Sequence, residues 1–479
     1  MPLATWAKGR YDFPVPSTNK QKGYLMIHSN HNSRRTFLKT AVAAGVTASY
    51  LTSLTAWAAP AGKKIRHAAV GIGGKGESDL AAIASHRQVE ITAICDVDLT
   101  TLNAASKKYP KARKYQDWRE MLAKEADNID SVCVSTPDHM HAPIAMRAMQ
   151  LGKHVYCQKP LTHDVYEARK LKEISIEKKL VTQMGTQHAS GFSNRYSEKL
   201  VKEGAIGKVK EMYCWSNKSA RVFRPMGPRP TRKDPVPATL DWDQWIGNAP
   251  MRPFVKNAYH VKAWRGWQDF GCGWLGDMGC HIMNTPFLIL DMAAPISIKS
   301  KVEPAWAKDP KRFRDVFPQW EIIEYTFPGS KYTAGDTIKL TWSDGGKYPP
   351  KAIQKLAGGK TLPTQGMMAI GTKGVLLLPH PGIAPKIYPK IKLKRIKFDN
   401  VDHYHQWVDA IIKNDPDMPL SRFSFAGQLS EAISLGVIAL RFPDKELKWD
   451  SAAMKFTNLD APNKFIRRTY RKGWEEKGL

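Results

Sequence analysis

The stretch IRHAAVGIGGKG, residues 65–76, decides the fold of this chain. Its apolar half is typical of a buried strand, and the segment 75–86 that follows has the spacing of a helix. Gly71, Gly73 and Gly76 fit the pattern GxGxxG between these two elements. Glycines at this spacing permit a tight turn and let the main chain approach a pyrophosphate at the helix N-terminus. The stretch therefore predicts a dinucleotide-binding loop.

The residues predicted to bind this cofactor begin in the loop and continue to the next strand. The loop contributes Gly71, Ile72, Gly73, Gly74 and Gly76. Asp96 lies near the end of the predicted strand 89–98, where a carboxylate can accept hydrogen bonds from a ribose diol and would repel a 2′-phosphate. We therefore expect NAD as the cofactor, with NADP as the open alternative. The alternative to binding either cofactor is a glycine turn that holds no ligand.

The order of the predicted elements gives the fold class, α/β. Short apolar strands alternate with amphipathic helices through residues 59–185, which predicts a Rossmann domain with a parallel sheet wound on both faces. After 186 the alternation stops, and residues 186–450 are predicted to form a second domain around a mostly antiparallel sheet. Within it, MMAIGTKGVLLLP at 367–379 predicts a hairpin. Residues 451–479 form a basic C-terminal tail.

An export signal is predicted at the N-terminus. The segment SRRTFLK, residues 33–39, fits the twin-arginine pattern, and a weakly apolar run, 41–58, ends in AWA, an A-x-A cleavage site. A membrane anchor would need about 20 strongly apolar residues. We therefore expect residues 1–58 to form a signal region cleaved after Ala58, with Met26 as an alternative start. The mature chain is then periplasmic or otherwise exported, without stable membrane insertion.

Composition limits the partners and the metal chemistry. The net charge is +29, but the basic residues are spread along the chain and no nucleic-acid motif is present. We therefore expect a generally basic surface and no nucleic-acid partner, with an anionic glycan open as a substrate. The six cysteines form no CxxC pair, which argues against a disulfide framework and structural zinc. His139 and His141 resemble a metal-binding pair, yet no third ligand has suitable spacing, so no metal is predicted.

Three stretches of the sequence resemble a known family. They are STPDHMHAPIAMRAMQLGKHVYCQKP at 135–160, GTQHASGFSNRYSEKLVKEGAIGKVKEMYCW at 185–215 and GCGWLGDMGCHIMN at 271–284. They are similar to the Gfo/Idh/MocA oxidoreductases, a family that includes glucose–fructose oxidoreductase and inositol dehydrogenase. One departure is Gln158, where the family has the glutamate of its EKP motif. This departure puts in doubt a charged partner beside Lys159 but leaves the lysine itself.

The resemblance implies that Lys159, Asp277 and His281 form the catalytic set. Oxidation of a sugar alcohol needs a base for the hydroxyl proton and a group that polarises the oxygen. His281 is then the favoured base, Asp277 its orienter or a substrate ligand, and Lys159 the polarising donor. Lysine and histidine can exchange roles within the family. The residues alone leave two alternatives open, a solvated lysine and a polar Asp277–His281 pair that packs a helix against a sheet.

The resemblance also extends the predicted cofactor pocket. It implies that Thr136, Pro137 and His141, in the turn after the fourth strand, line this pocket together with Lys159. Gln187 stands at a strand end from which it can reach the nicotinamide or the substrate, although strand ends often expose a glutamine. For the second domain the resemblance implies an open α/β sheet whose outer face builds a homo-oligomer, a dimer or a tetramer.

Tryptophans crowd the sequence around Asp277. Five of them are Trp242, Trp245, Trp264, Trp267 and Trp274. Aromatic faces stack on sugar rings, and Arg265 and Asp269 can hydrogen-bond hydroxyl groups, whereas packing is the plainer role for such side chains. We expect most of these tryptophans to pack, with one or two at a sugar site.

Three functions fit these predictions. Free NAD is essentially absent outside the cytoplasm, so an exported enzyme must hold its cofactor tightly and return it to its starting state. The favoured function is an NAD(P)-dependent oxidoreductase that acts on a CH–OH group of a sugar or sugar-derived alcohol. The alternatives are a redox-neutral, NAD-dependent glycoside hydrolase, which works by oxidation, elimination, addition and reduction, and a non-catalytic sugar-binding protein. In each case the partner is a small-molecule carbohydrate.

Overall fold

The computed structural model describes residues 64–217, 227–359, 361–392 and 397–479. The predicted signal region 1–58 therefore lies outside the described residues. Within these four ranges, no helix has both the length and the apolar character that crossing a membrane requires.

The first sheet has six parallel strands in the order β3-β2-β1-β4-β5-β6. These strands are β1 Ile65–Val70, β2 Val89–Cys95, β3 Arg113–Tyr115, β4 Ser131–Val134, β5 His154–Cys157 and β6 Thr182–Met184. The helices that connect them are α1 Lys75–Ala84, α2 Leu99–Lys108, α3 Trp118–Glu125, α4 His141–Gln150 and α5 Val165–Glu177. This strand order is that of a Rossmann fold, and the predicted parallel sheet is confirmed.

The second sheet has nine strands in the order β13-β12-β11-β7-β10-β9-β8-β14-β15. These strands are β7 Val209–Ser216, β8 Ser297–Val302, β9 Glu321–Pro328, β10 Thr337–Asp344, β11 Gln365–Gly371, β12 Val375–Pro379, β13 Lys386–Tyr388, β14 Glu446–Asp450 and β15 Lys455–Phe456. Adjacent strands are antiparallel except β7 and β10, which run parallel. The predicted mostly antiparallel sheet is confirmed, as is the predicted hairpin, formed by β11 and β12.

Two helices from the end of the chain return to the first sheet. The helices that follow β6 are α6 Phe192–Lys202, α7 Trp242–Ile246, α8 Cys280–Ile282, α9 Asn284–Leu290, α10 Pro304–Ala307, α11 Pro310–Asp315, α12 Lys351–Lys355, α13 His403–Lys413 and α14 Phe423–Ala439. Trp407 of α13 is fully buried in one apolar cluster with Ile65 and Leu80. Most of α14 is buried, which is typical of an interior helix, and its Glu431 pairs with Arg169 of α5 at 2.9 Å.

Capping residues set where the helices around the first sheet begin. Asp98 accepts a hydrogen bond from the main-chain N–H of Thr100 at 2.9 Å at the start of α2. Asp164 and Glu167 form a capping box at the start of α5. Such caps satisfy N–H groups that have no partner within the helix. The box on α5 therefore fixes the end of the loop that leaves β5, and this loop carries Lys159.

The predicted helix around Asp277 contains a π-helical turn. Residues Leu275–Gly279 form this turn, and α8 and α9 continue from it. Single π turns are rare inside helices and are frequent at functional sites. A spacing of four residues places Asp277 and His281 on one face only in a regular α-helix. Their relative placement therefore follows from the structure and not from the spacing.

The C-terminal tail lies against the first domain. Glu476, whose side chain is 2% exposed, pairs with Arg147 of α4 at 2.7 Å. Arg468 pairs with Glu167 of α5 at 3.2 Å. Because both carboxylates are buried, detachment of the tail would leave Glu167 without its arginine partner in the interior, which is unfavourable.

The variant Gly76→Ala tests the close packing of the nucleotide loop. A Cβ atom at Gly76 would lie 1.8 Å from the carbonyl oxygen of Gly71, so the loop and the start of α1 would have to move. We expect the free energy of unfolding, measured with denaturant, to fall by more than about 2 kcal/mol. Gly73→Ala is the matched control, because the atom nearest to its Cβ is a side-chain methyl of Thr101 at 3.2 Å. Equal stability of the two variants would contradict the packing argument.

Candidate active site

Lys159 and Asp277 form a buried ion pair at the carboxyl edge of the first sheet. Nζ of Lys159, just after β5, donates to Oδ1 of Asp277 at 2.7 Å and to its main-chain oxygen at 2.8 Å, although the two residues are 118 positions apart. Their side chains are 15% and 7% exposed, so the alternative of a solvated lysine is wrong. Nε of Arg265 lies 3.6 Å from the same Oδ1. Two cations therefore surround this carboxylate, which is a charged partner for Lys159.

His281 presents a neutral imidazole within the electric field of this pair. Burial, and then the charge of Lys159, hold the pKa of His281 well below its usual range, against an opposing effect of Asp277. Its Nδ1 atom is shielded from solvent and has no hydrogen-bond partner among the described residues. Asp277 therefore does not orient the ring through Nδ1. A neutral ring can accept a proton from a substrate hydroxyl through an unprotonated nitrogen.

Two further histidines approach His281. His188 follows β6 in the turn Gln187–Ser190, and His380 follows β12. The ring centroids of His188 and His380 are 4.9 Å apart, and those of His281 and His380 are 5.6 Å apart. Sequence reasoning missed both residues. The only available signal for His188 was its position beside Gln187, and His380 had none beyond its place at a strand end.

The three imidazoles are not arranged as the ligands of a metal ion. Over the described ranges, no group of three or more histidine, cysteine, aspartate or glutamate side chains is arranged to hold a metal ion. His139 and His141 approach main-chain carbonyl oxygens with their ring nitrogens. The absence of a metal stays a prediction from the sequence.

The glycine loop forms a cradle that fits a dinucleotide. Gly71 has a φ of +75°, and a Cβ there would lie 2.9 Å from the main chain of Ser135. Gly73 and Gly74 are at least partly exposed, so their main chain is open to a ligand. The hydroxyl of Thr136 is shielded from solvent and has no hydrogen-bond partner among the described residues. These observations fit the predicted cofactor contacts of the loop and of the turn after β4.

Asp96 is fixed at the end of β2 by two main-chain N–H groups. Its Oδ2 accepts from Ile72 at 2.9 Å and its Oδ1 accepts from Asp98 at 3.0 Å. Burial raises the pKa of Asp96 to about 6, and both hydrogen bonds oppose this rise. A carboxylate oxygen has a second lone pair, so each can still accept from a ribose hydroxyl. The predicted ribose contact fits this geometry.

The turn after β4 is tied to the loop after β5 by His141. Its Nδ1 lies 2.7 Å from the carbonyl oxygen of Pro160, and its Nε2 lies 2.9 Å from that of Thr136. Burial lowers the pKa of His141 to about 4. Because both ring nitrogens face main-chain oxygens, His141 positions these two segments, and its predicted contact with a cofactor, like that of Pro137, stays a prediction. The predicted contact of Gln187 also stays a prediction, and its Nε2 donates to the hydroxyl of Tyr156 at 3.2 Å.

Asp138 is a further buried acid that sequence reasoning missed. Its Oδ2 accepts from the main-chain N–H of Cys272 at 3.1 Å, which joins the turn after β4 to the segment that leads into the π-helical turn. Burial raises the pKa of Asp138 to about 7, and the charges of Lys159 and Arg265 oppose the rise. This group can therefore change its charge near neutral pH within the field of the ion pair.

A fully buried carboxylate, Asp79 of α1, is the hydrogen-bond partner of the amide at position 158. It accepts hydrogen bonds from Nε2 of Gln158 at 2.8 Å, the hydroxyl of Ser135 at 2.8 Å and the hydroxyl of Tyr404 at 2.7 Å. Lys75 of the glycine loop pairs with it at 2.6 Å. An amide at 158 donates to this carboxylate, whereas a glutamate there would place two negative charges in contact. Sequence reasoning missed Asp79.

The tryptophans near Asp277 pack. Their exposed fractions are Trp242 8%, Trp245 5%, Trp264 7%, Trp267 4% and Trp274 4%. Asp269 is paired with Arg252 and with Arg229. Packing is therefore the main role of these rings, and Arg265 is the cation of this segment that lies next to the ion pair.

Two family profiles match consecutive parts of the chain. Residues 65–186 match the profile of the Gfo/Idh/MocA oxidoreductase family described as its NAD-binding Rossmann fold. Residues 193–341 match the profile described as the C-terminal alpha/beta domain of the same family. Together the two matched ranges cover more than half of the chain.

Curated relatives match over shorter stretches. A levoglucosan dehydrogenase from Pseudarthrobacter phenanthrenivorans is 29% identical over 105 residues, which are 22% of this chain and 26% of that protein. A glycosyl hydrolase family 109 protein from Stenotrophomonas maltophilia is 35% identical over 136 residues, which are 26% of this chain and 29% of that protein. In eight curated relatives of this kind, these two included, the matched regions span 25–37% of the relative's length.

Solved structures share the fold over most of the described chain. An inositol dehydrogenase homolog from Azotobacter vinelandii, in complex with NADH and myo-inositol, superposes with a TM-score of 0.55 at 15% identity. The match covers 81% of this chain and 98% of that one. With the two profiles and the Rossmann geometry of the first sheet, the chain belongs to the Gfo/Idh/MocA oxidoreductase family and carries its NAD-binding domain.

Proposed function

We propose that this chain oxidises a hydroxyl-bearing carbon of a sugar or sugar-derived alcohol. The observation that carries the proposal is the buried Lys159–Asp277 pair, whose field acts on the neutral imidazole of His281. It lies at the carboxyl edge of the first sheet, where open α/β sheets bind their ligands. NAD, when bound, supplies the hydride acceptor.

The first domain offers contacts for the pyrophosphate and the ribose of NAD. The main chain of Gly71, Ile72 and Gly73 would hold the pyrophosphate at the start of α1. Asp96, fixed by two N–H groups, would accept from the ribose hydroxyls. The unpartnered hydroxyl of Thr136 would donate to the cofactor from the turn after β4. NADP stays the alternative, and the carboxylate of Asp96 is the feature that disfavours its 2′-phosphate.

The neutral state of His281 favours this residue as the base. The Lys159 ammonium carries three N–H donors, and two hydrogen bonds run from it to Asp277. The third donor can polarise the substrate oxygen, while His281 accepts the hydroxyl proton. Asp277 then acts by holding Lys159 and by stabilising the imidazolium that forms. The assembled set also argues against the non-catalytic sugar-binding alternative.

Export and assembly belong to the same proposal. An exported chain without a pool of free NAD retains its cofactor through turnover, so a second substrate must accept the hydride. Alternatively, the chain is a redox-neutral glycoside hydrolase, a second candidate favoured by the match to glycosyl hydrolase family 109 proteins. In that case oxidation and reduction occur on one sugar and need no second substrate. A dimer or tetramer of the exported chain completes the proposal.

The first experiment combines cofactor analysis with a glycoside screen. We expect the purified protein to release NAD on denaturation, detected by mass spectrometry. A product oxidised at a hydroxyl-bearing carbon would identify the oxidoreductase. Release of an aglycone without net reduced cofactor would identify the hydrolase. Absence of any bound nicotinamide and of any turnover would contradict both.

His281→Ala tests the assignment of the base. We expect turnover to fall by at least about a hundredfold, because proton abstraction loses its acceptor, while the NAD content stays that of the unaltered protein because the glycine loop is intact. Activity is followed by product formation and NAD by mass spectrometry. His86→Ala is the control, since His86 pairs with Asp409 away from the first sheet's carboxyl edge. Retained turnover in His281→Ala would refute the assignment.

The pH dependence of turnover tests the neutral state of His281. Its folded pKa lies well below the ordinary 6.5, so the base form persists as the pH falls through that value. We therefore expect kcat/KM to stay level between about pH 8 and about pH 6. The profile is measured in an Asp138→Asn background and with NAD in excess, because burial raises the pKa of Asp138 to about 7 and that of Asp96, the proposed ribose ligand, to about 6. A fall in kcat/KM centred near the ordinary histidine pKa would be the opposing result.

Gln158→Glu tests the buried carboxylate at α1. The new carboxylate would face Asp79 directly, so we expect a loss of about 3 kcal/mol in the free energy of unfolding and weaker NAD retention. The defect should shrink as the pH is lowered, because one of the two carboxyl groups then becomes protonated. The double variant Asp79→Asn with Gln158→Glu exchanges donor and acceptor. It should recover most of the loss, and no recovery would disprove the pairing.

A further inference from the structure

A cavity lies apart from the catalytic set. It has a volume of about 260 Å³ and opens between the loop after β5, helix α14 and the C-terminal tail. Its lining includes His163, Asn248, Arg441, Lys464 and Phe465, and none of Lys159, Asp277 and His281. The proposed oxidation does not use any of these five side chains.

The cavity wall contains two cations that form no ion pair with a carboxylate in the described part of the chain. Arg441 donates to the amide oxygen of Gln268 and has no ion-pair partner among the described residues. Burial lowers the pKa of Arg441 to about 10. Other arginines in this fold, such as Arg169 and Arg147, are each matched by a buried glutamate. Lys464 likewise has no carboxylate partner within the described chain, so the wall offers two unmatched positive charges.

Both of these charges lie close to one aromatic ring. The guanidinium of Arg441 is 4.5 Å from the ring centroid of Phe465, and Nζ of Lys464 is 5.0 Å from it. Cations held at an aromatic ring have part of their hydration replaced. Both cations line the cavity. An anion that binds there displaces less water from them than it would from fully hydrated cations.

The acidic residues in the wall are already in use. Asp164 accepts from the main-chain N–H of Arg468 at 3.2 Å, and burial raises its pKa to about 8. Asp269 is paired with Arg229 and Arg252. The charge of Asp269 raises the pKa of Arg441 against the larger effect of burial, but neither acid forms an ion pair with Arg441 or Lys464 among the described residues.

Two buried polar atoms of the wall have no partner among the described residues. Asn248 is 1% exposed, and its Nδ2 donates to the carbonyl oxygen of His139 at 2.9 Å, which leaves Oδ1 as an unused acceptor. The second atom is Nε2 of His163. Burial holds the pKa of His163 well below its usual range, so this ring is neutral. Buried polar atoms are normally satisfied, so both call for a hydrogen-bonding ligand.

We infer that this cavity binds a small polyhydroxy carboxylate, a sugar acid. Arg441 and Lys464 bind the carboxylate, and Oδ1 of Asn248 and Nε2 of His163 bind the hydroxyl groups. A plain anion would leave the last two atoms unsatisfied, and a neutral polyol would leave the two charges unmatched. The inference concerns a site separate from the NAD site and does not depend on the proposed oxidation.

The test is calorimetric titration of the purified full chain with gluconate, sorbitol and acetate at constant ionic strength. Gluconate should bind, and both sorbitol, which lacks the carboxylate, and acetate, which lacks the hydroxyls, should bind at least about tenfold more weakly. Arg441→Gln should weaken gluconate binding by about tenfold or more. Lys464→Gln should have the same effect, and because Lys464 is exposed this substitution leaves the core intact. Lys445→Gln, which removes a nearby exposed charge, should leave it unchanged.

A further variant distinguishes binding in this cavity from binding at the catalytic site. His281→Ala should bind gluconate in the cavity like the unaltered protein, whatever its effect on turnover. Equal affinity for acetate and gluconate would overturn the inference, and so would gluconate binding that survives both Arg441→Gln and Lys464→Gln. Absence of gluconate binding at millimolar concentration would overturn it as well.

Discussion

The ion pair between Lys159 and Asp277 is the contact on which the candidate site depends. A buried ion pair loses its hydration and is retained only where further hydrogen bonds compensate. Lys159 therefore donates both to the carboxylate at 2.7 Å and to the main-chain oxygen of Asp277 at 2.8 Å, with Arg265 close by. The pair fixes the end of β5 against the π-helical turn Leu275–Gly279. Its charges are thus arranged before a substrate arrives, which is the condition for strong electrostatic stabilisation.

The first domain could be predicted in detail because its signals are local. Strand, glycine turn and helix are adjacent at 65–84, and β2, β4 and β5 each coincide with an apolar run, whereas the short strand β3, Arg113–Tyr115, does not. The second sheet could be predicted only as a class. Its β7 lies between β10 and β11, which follow much later in the chain. Pairings over such separations are decided by packing between side chains of different strands, and no local pattern records them.

The catalytic set could be predicted from the motifs, but its surroundings could not. Asp79 looked like an ordinary polar position of α1, and its role appears only where Gln158 reaches it at 2.8 Å. His188 and His380 each stand alone in the sequence, and their rings meet at 4.9 Å only because the ends of β6 and β12 converge. The role of such residues depends on contacts with residues far away in the chain, and a single sequence does not show these contacts.

Two adjacent residues after β5 join the cofactor loop to the catalytic turn. Successive side chains at a strand end point in different directions. Gln158 reaches Asp79 on the helix of the glycine loop, while Lys159 reaches Asp277 on the π-helical turn. Gly185 makes room for the first contact, since a Cβ there would lie 2.6 Å from the Gln158 amide. This junction therefore contains one buried carboxylate, that of Asp79 on α1. Gln158 and Lys159 thus tie the two halves of the candidate site together through adjacent positions of the chain.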